Sequence, residues 1–256
     1  MSLGKAIELE KVASSKQDIL ELIQEFEKAT ITDIIKDKTF AQWKIGHYQL
    51  LLGASHSDNK KEKKEHYLNS IASSEKAMML NEEFARAIES GGKIWNSAHL
   101  LNEEHIDAMG YWYTARCYYF KECLSIFGRI FNLSLMIHNE PVIRRIDELN
   151  PNWAGGGNFL SKAIYYIAVP KRLGGSKENS ALEFEKAIAV GPNYLVHRWA
   201  RAKYLWSLTG DKESYVSDLN WVLAQDPKTG GNPHAWNIYF QNEARAMLRK
   251  MNAKLS

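Results

Sequence analysis

Trp112, Arg116 and Tyr119 recur at steps of four and three, the spacing that sets side chains on one face of a helix. Arg198 and Trp199 stand in a second such stretch with Arg201, Lys203 and Trp206, and Tyr165 and Tyr166 in a third. An arginine among aromatic rings can take a carboxylate through its fork of N–H donors while the rings hold an apolar body. That chemistry suits an organic acid or a lipid-like molecule. Tyr, Trp and Arg are also the types that anchor protein partners. We therefore expect a ligand or partner surface built from Trp112, Arg116, Tyr119, Tyr165, Tyr166, Arg198, Trp199 and Trp206. The competing expectation is that the rings pack between helices while the arginines reach past them to water.

Catalysis and metal binding find little support. The eight histidines include no pair four apart, and no His-Glu-x-x-His occurs. His99 and His105 lie six apart, which does not bring both rings to one helix face. Gly174-Gly175-Ser176-Lys177 holds the ingredients of a phosphate loop in the wrong order, and Ala154-Gly155-Gly156-Gly157 follows no strand. These glycines are expected to serve tight turns and close helix contacts. Cys117 and Cys123 are six apart on a helix, so two free thiols are expected rather than a disulfide. We expect a non-enzyme without a metal or cofactor.

These side chains need helices to hold them, and the chain reads as helix nearly throughout. Its 256 residues are 45% apolar and 25% charged, ordinary for a folded globular protein. The net charge of +3 makes no electrostatic case for nucleic acid. The longest apolar stretch, Ala163–Val169, is far shorter than the ~20 residues of a membrane-spanning helix. Ile19, Leu20, Leu22, Ile23 and Phe26 form a stripe behind a candidate cap at Ser15. Ser57–Glu65 is a lysine-rich polar run, read as solvated loop or helix face, with the next helix starting near Tyr67. No hairpin dipeptide is flanked by alternating residues.

Helix ends repeat. Glu148-Leu149-Asn150-Pro151, Ala189-Val190-Gly191-Pro192 and Gln225-Asp226-Pro227 carry the same punctuation, with Met79-Leu80-Asn81-Glu82 as a variant. The three prolines are 41 and 35 residues apart. A tetratricopeptide unit is about 34 residues, a helix pair closed by proline. Its second helix bears a small residue, an aromatic and an alanine 12, 8 and 5 residues before that proline. Counting from Pro192 gives Ser180, Phe184 and Ala187, which fit; from Pro227 it gives Tyr215, Leu219 and Val222, degenerate but apolar. From Pro151 it gives Asn139, Ile143 and Ile146, a poor match. Ser180, Phe184, Ala187, Pro151, Pro192 and Pro227 are therefore expected to serve repeat packing.

The expected fold is all-α: a right-handed superhelix of irregular tetratricopeptide-like helix pairs with a C-terminal capping helix. One helical-repeat domain over 1–256 would comprise divergent N-terminal helices (14–103), clearer repeat units (104–233) and the cap (234–253). The cap's outer face would carry Gln241, Glu243, Arg245, Arg249 and Lys250.

Glu148-Leu149-Asn150-Pro151-Asn152-Trp153-Ala154-Gly155-Gly156 is followed by Ile164-Tyr165-Tyr166, Pro170, and Leu173-Gly174-Gly175. Ala181, Phe184-Glu185-Lys186-Ala187-Ile188 and a closing Asn242, Ala244, Ala246, Leu248 come after. From Tyr111 to Met251 this resembles the T-component of tripartite ATP-independent periplasmic (TRAP) transporters. The resemblance implies a non-catalytic, lipid-anchored periplasmic protein with a pore through its helical fold. It implies docking to the transporter's solute-binding protein, and it allows a trimer. The function expected is such docking, with room for a small apolar, amphipathic or organic-acid ligand. The alternative is a general tetratricopeptide scaffold gripping a peptide segment of a partner in its concave face. Met1 runs into charged residues with no leader pattern. Two compartments therefore stay open: the periplasm, lipid-anchored in the full-length form, or the cytoplasm.

Overall fold

The computed structural model describes residues 2–253, so the ends of the expected 1–256 domain lie outside the described residues. Helices follow one another throughout, and no strand occurs among the described residues. None of their helices is long and apolar enough to cross a membrane. Contacts divide the chain into two compact units, Met1–Leu9 with Ser15–Pro151 and Glu10–Ser14 with Asn152–Ser256.

In the first unit the Lys16–Ala29 helix starts where Ser15 caps it. The Ser15 hydroxyl accepts from the Asp18 N–H and Asp18 accepts from the Ser15 N–H, a reciprocal box that satisfies two end donors. The Ile35–Ser55 helix is central: it packs on Lys16–Ala29, Lys60–Met78 and Ile106–Tyr118. Its Tyr48, Leu50, Leu51 and Leu52 are buried with Phe26, Tyr67 and Trp112. The polar run before Tyr67 is helix already. Asn59 accepts from the N–H groups of Lys61 and Glu62, so the helix begins at Lys60, a full two turns before the expected start. Lysine and glutamate are good helix formers, and the cap rather than the first apolar residue sets the boundary.

The second unit turns on its glycines. Ala154, Gly155 and Gly156 have φ of 49°, 59° and 93°, left-handed backbone that reorients the chain at the start of Trp153–Ala168. A Cβ on Gly156 would stand 2.9 Å from the Ala187 carbonyl oxygen, and one on Gly155 only 2.2 Å from the Tyr194 ring. Glycine at both places therefore permits the turn and the close approach together. Ser176 caps Lys177–Val190, which packs along Trp153–Ala168.

The offset count reaches further than its chemistry. Ser180, Phe184 and Ala187 are fully buried, and so are Leu219 and Val222. The poorly matching Asn139, Ile143 and Ile146 are buried as well. Counted from Glu82, the variant punctuation, the same offsets give Ser70, Ser74 and Ala77, all without exposure. There a Cβ on Gly46 would meet the Ser74 hydroxyl at 2.9 Å, as Gly156 meets Ala187 in the other unit. Pro151 and Pro192 themselves are exposed and Pro227 half-buried, each standing beyond a helix end.

The closing helix runs His234–Asn252 and buries Ala235, Trp236, Tyr239, Phe240 and Ala244. One of its expected outer residues is placed differently. Gln241 is buried, and its Nε2 donates to the carbonyls of Val222 (3.2 Å) and Gln225 (2.7 Å). It closes the open carbonyl end of the Lys212–Ala224 helix, a role that needs a buried donor. Arg245, Arg249 and Lys250 are exposed.

Candidate functional site

The aromatic–arginine stretches form two centres of different chemistry, one in each unit. In the first, Trp112 and Arg116 are one turn apart on Ile106–Tyr118. Trp112 is fully buried and fixed by its Nε1, which donates to Glu75 Oε1 at 2.9 Å. The Arg116 guanidinium lies on the indole face, its Cζ 4.3 Å from the ring centroid. Its Nε donates to Asn139 Oδ1 (2.9 Å) and its Nη2 to the Leu135 carbonyl (3.2 Å). Both acceptors are neutral. Nη1 makes no hydrogen bond among the described residues, and Arg116 makes no ion pair there although it is only 8% exposed. Burial lowers its pKa, and the neighbouring Cys117 and then the Glu75 carboxylate, beyond ion-pair distance, oppose that only in part. The imidazole of His138, stacked on Trp95 at 3.9 Å, has its own pKa lowered by burial and by the Arg116 charge.

The second centre closes on its own carboxylates, apart from the buried Arg198 Nε, which has no hydrogen-bond partner among the described residues. Asp218, 2% exposed, accepts from Arg201 Nε (2.8 Å) and Nη2 (2.7 Å), from Arg198 Nη1 (3.2 Å) and from Trp206 Nε1 (2.9 Å). Glu185 takes Arg201 Nη1. Arg198 lies over Trp221 and Arg201 over Trp206. Burial alone would lower the Arg201 pKa, but Asp218 and Glu185 reverse the sign and raise it. A carboxylate held by two arginines between indole rings is thus present here, supplied by the chain itself.

A widened turn occurs in each unit, three residues after Arg116 in the first and starting at Arg201 in the second. Ile106–Tyr118 runs into a π-helical segment at Tyr119–Cys123, and Leu195–Ala200 into one at Arg201–Trp206. In an α-helix, residues five apart lean to different sides; the i→i+5 turn brings them together. That is how Arg201 and Trp206 meet over one carboxylate.

The remaining expected residues fall into three environments. Trp199 is core, packed against Tyr204, Tyr239 and Phe240. Tyr165 and Tyr166 are half-buried neighbours, ring centroids 6.2 Å apart and edge to face. Tyr119 is half-buried at the start of its π turn. Cys117 and Cys123 are free thiols, the former pushed up to about 12 by burial and so inert as a nucleophile at neutral pH.

Asp218, Glu185, Asn139 and Glu75 were not among the expected site residues. Two had signals. Asp218 interrupts the stripe Tyr215, Leu219, Val222, and an acid at an apolar helical position is a buried charge in need of a partner. Asn139 occupies the small-residue offset before Pro151, and the misfit marks the amide that receives Arg116. Glu75 and Glu185 sit on ordinary polar faces, and linear spacing says nothing of them.

Compared with curated protein sequences, the chain finds no match. It does match the family described as TRAP transporter T-component, over residues 59–254. That stretch takes in both arginine centres, both π turns and the glycine-rich turn at 154–156, well over half of the sequence, and the chain belongs to the TRAP transporter T-component family.

Proposed function

We propose that the chain is a non-catalytic docking component of a TRAP system, periplasmic and lipid-anchored in its full-length form. In this reading it engages the transporter's solute-binding protein and takes an amphipathic organic acid at Arg116. The observation that carries the ligand half is the Arg116 guanidinium: buried on Trp112, bonded only to neutral acceptors, and with Nη1 unspent. A desolvated cation without a close carboxylate gains most from an incoming one. Arg198 Nη1 and Trp206 Nε1 both donate to Asp218, so we assign the partner surface to the half-buried rings Tyr165 and Tyr166 instead. Family membership supports the transporter half.

The overall architecture we propose is a right-handed tetratricopeptide-like superhelix. Its support is the recurrence of buried residues at the same three offsets before Glu82, Pro151 and Pro192, and at the last two before Pro227, where Tyr215 is half-buried. The functional test is co-purification with the solute-binding protein encoded beside the TRAP permease, using the parent and Arg116→Ala. The reading expects the parent to retain that protein, and the variant to lose its response to added organic acid while keeping its helical spectrum. Failure of the parent to retain it, alongside capture of a free peptide segment, would favour the general scaffold.

A further inference from the structure

The Ile126–Phe131 helix exposes nearly all of its apolar surface. Ile126, Phe127, Ile130 and Phe131 are 75%, 74%, 65% and 83% exposed. The helical repeat gathers the four on one side. Large contiguous apolar patches of this kind mark interaction sites. Three of the segment's side chains bond within it, although the Arg129 Nε is buried without a hydrogen-bond partner. Ser125 Oγ accepts from the Gly128 N–H (3.1 Å), Asn132 Nδ2 donates to the Gly128 carbonyl (2.8 Å), and Arg129 Nη2 donates to the Lys121 carbonyl.

Its root is basic. Glu122, just before the helix, accepts from Lys63 Nζ and the Tyr67 hydroxyl, both at 2.8 Å, which fixes the start of the Lys60–Met78 helix beside it. Burial and the Glu122 carboxylate raise the pKa of the Cys123 thiol, three residues from Ile126, and the ammonium groups of Lys60, Lys63 and Lys64 oppose them in part. Lys60, Lys61 and Lys64 are exposed and make no ion pair among the described residues.

We propose that this apolar tip with its lysine collar is an interfacial anchor that inserts among the head groups of an anionic bilayer. Phe and Ile exposed on a six-residue helix supply burial without demanding a complementary pocket, which is what a lipid interface offers. Exposed amines next to the inserted rings add attraction to anionic lipid. The same amines would repel each other if two copies met tip to tip. The proposal concerns this patch alone and stands or falls apart from the Arg116 reading.

The test is flotation of the unacylated chain with phosphatidylcholine vesicles, with and without phosphatidylglycerol. The parent should float with the phosphatidylglycerol vesicles and less with the neutral ones, and added salt should weaken it. Phe127→Ser with Phe131→Ser should lower partitioning by more than about tenfold, with an unchanged far-ultraviolet dichroism spectrum. Lys60→Gln with Lys64→Gln should remove the preference for the anionic lipid. A parent that stays unbound, or a double Phe variant that floats as well as the parent, overturns the proposal. So does self-association of the parent, abolished in that variant, without vesicle binding; that outcome would assign the patch to a contact between copies. Vesicle-independent retention of an acidic protein partner by the patch would likewise overturn it.

Discussion

Arg116 and Arg201 are equally buried and each stacks on a tryptophan on a helix that widens into a π turn, yet the shifts of their charged forms differ in sign. Arg201 meets two carboxylates, and its charged form is held more firmly than in water. Arg116 meets an amide and a carbonyl, and burial weakens its charged form. Composition is the same in both places; the difference lies in what the neighbouring helix presents. Asp218 makes one centre a structural joint, while Asn139 leaves the other with an unpaid charge. A residue set that promises ligand binding therefore fulfils that promise only where the protein has not already supplied the ligand's functional group.

The joint should be the more costly to break. Asp218→Ala leaves Arg198 without its carboxylate and Arg201 with only the exposed Glu185, and it should destabilise by about 3–5 kcal/mol, read from the chemical-denaturation midpoint. Asp218→Asn, which keeps one acceptor oxygen, should fall between that variant and the parent. If Asp218→Ala unfolds at the parent's midpoint, the ion-paired centre is not a joint. Phe184→Ala, in the same unit, should cost a similar 3–5 kcal/mol through the cavity it leaves; an unchanged midpoint would remove Phe184 from the repeat's core.

Next comes a pH effect in the second unit. His197 is buried, its Nε2 on the Gly155 carbonyl at 2.8 Å. Burial depresses its pKa from 6.5 to about 4, the carbonyl opposing this only in part. The unfolded chain therefore takes up a proton first as pH falls. The stability owed to neutral His197 is full above 6.5 and is lost progressively towards 4. A loss of roughly 3 kcal/mol over that window follows from one pKa unit being worth about 1.4 kcal/mol. His197→Gln should flatten this acid limb in denaturation series. An identical slope in the variant would place the titration elsewhere, with buried His47 the next candidate, its pKa also pushed well down by burial.

The smallest stability effect belongs to the open centre. Arg116→Met removes a buried cation with no close carboxylate and should shift stability by no more than about 1 kcal/mol in either direction. A loss as large as that of Asp218→Ala would mean that Arg116 is a joint too, and the contrast between the centres would collapse.

Much of the architecture is legible in the sequence because it rests on local rules. The Ser15 cap, the proline and asparagine punctuation and the offsets before Pro192 each follow from a few neighbouring residues. The offsets hold even at Asn139, Ile143 and Ile146, where the residue types fail, because backbone register persists after side-chain chemistry has drifted. Start points set by a polar cap, as at Asn59, are missed when apolar periodicity is the guide. Long-range pairing is hidden: Arg201 and Asp218 are 17 residues apart, Arg116 and Asn139 are 23 apart, and nothing local says that one pair carries a carboxylate's charge and the other an amide's dipole. Gln241 shows the reverse error, a polar type assigned to the surface that instead satisfies buried carbonyls.

The contrast is tested most directly by calorimetric titration of an amphipathic carboxylate, octanoate, into the parent, Arg116→Gln and Arg198→Gln. The account predicts binding by the parent, loss of at least about tenfold in affinity for Arg116→Gln, where a charge-assisted contact disappears, and little change for Arg198→Gln, whose guanidinium serves Asp218. Binding that survives Arg116→Gln and fails in Arg198→Gln would contradict it, and would show that the centre closed by its own aspartate opens to ligand after all.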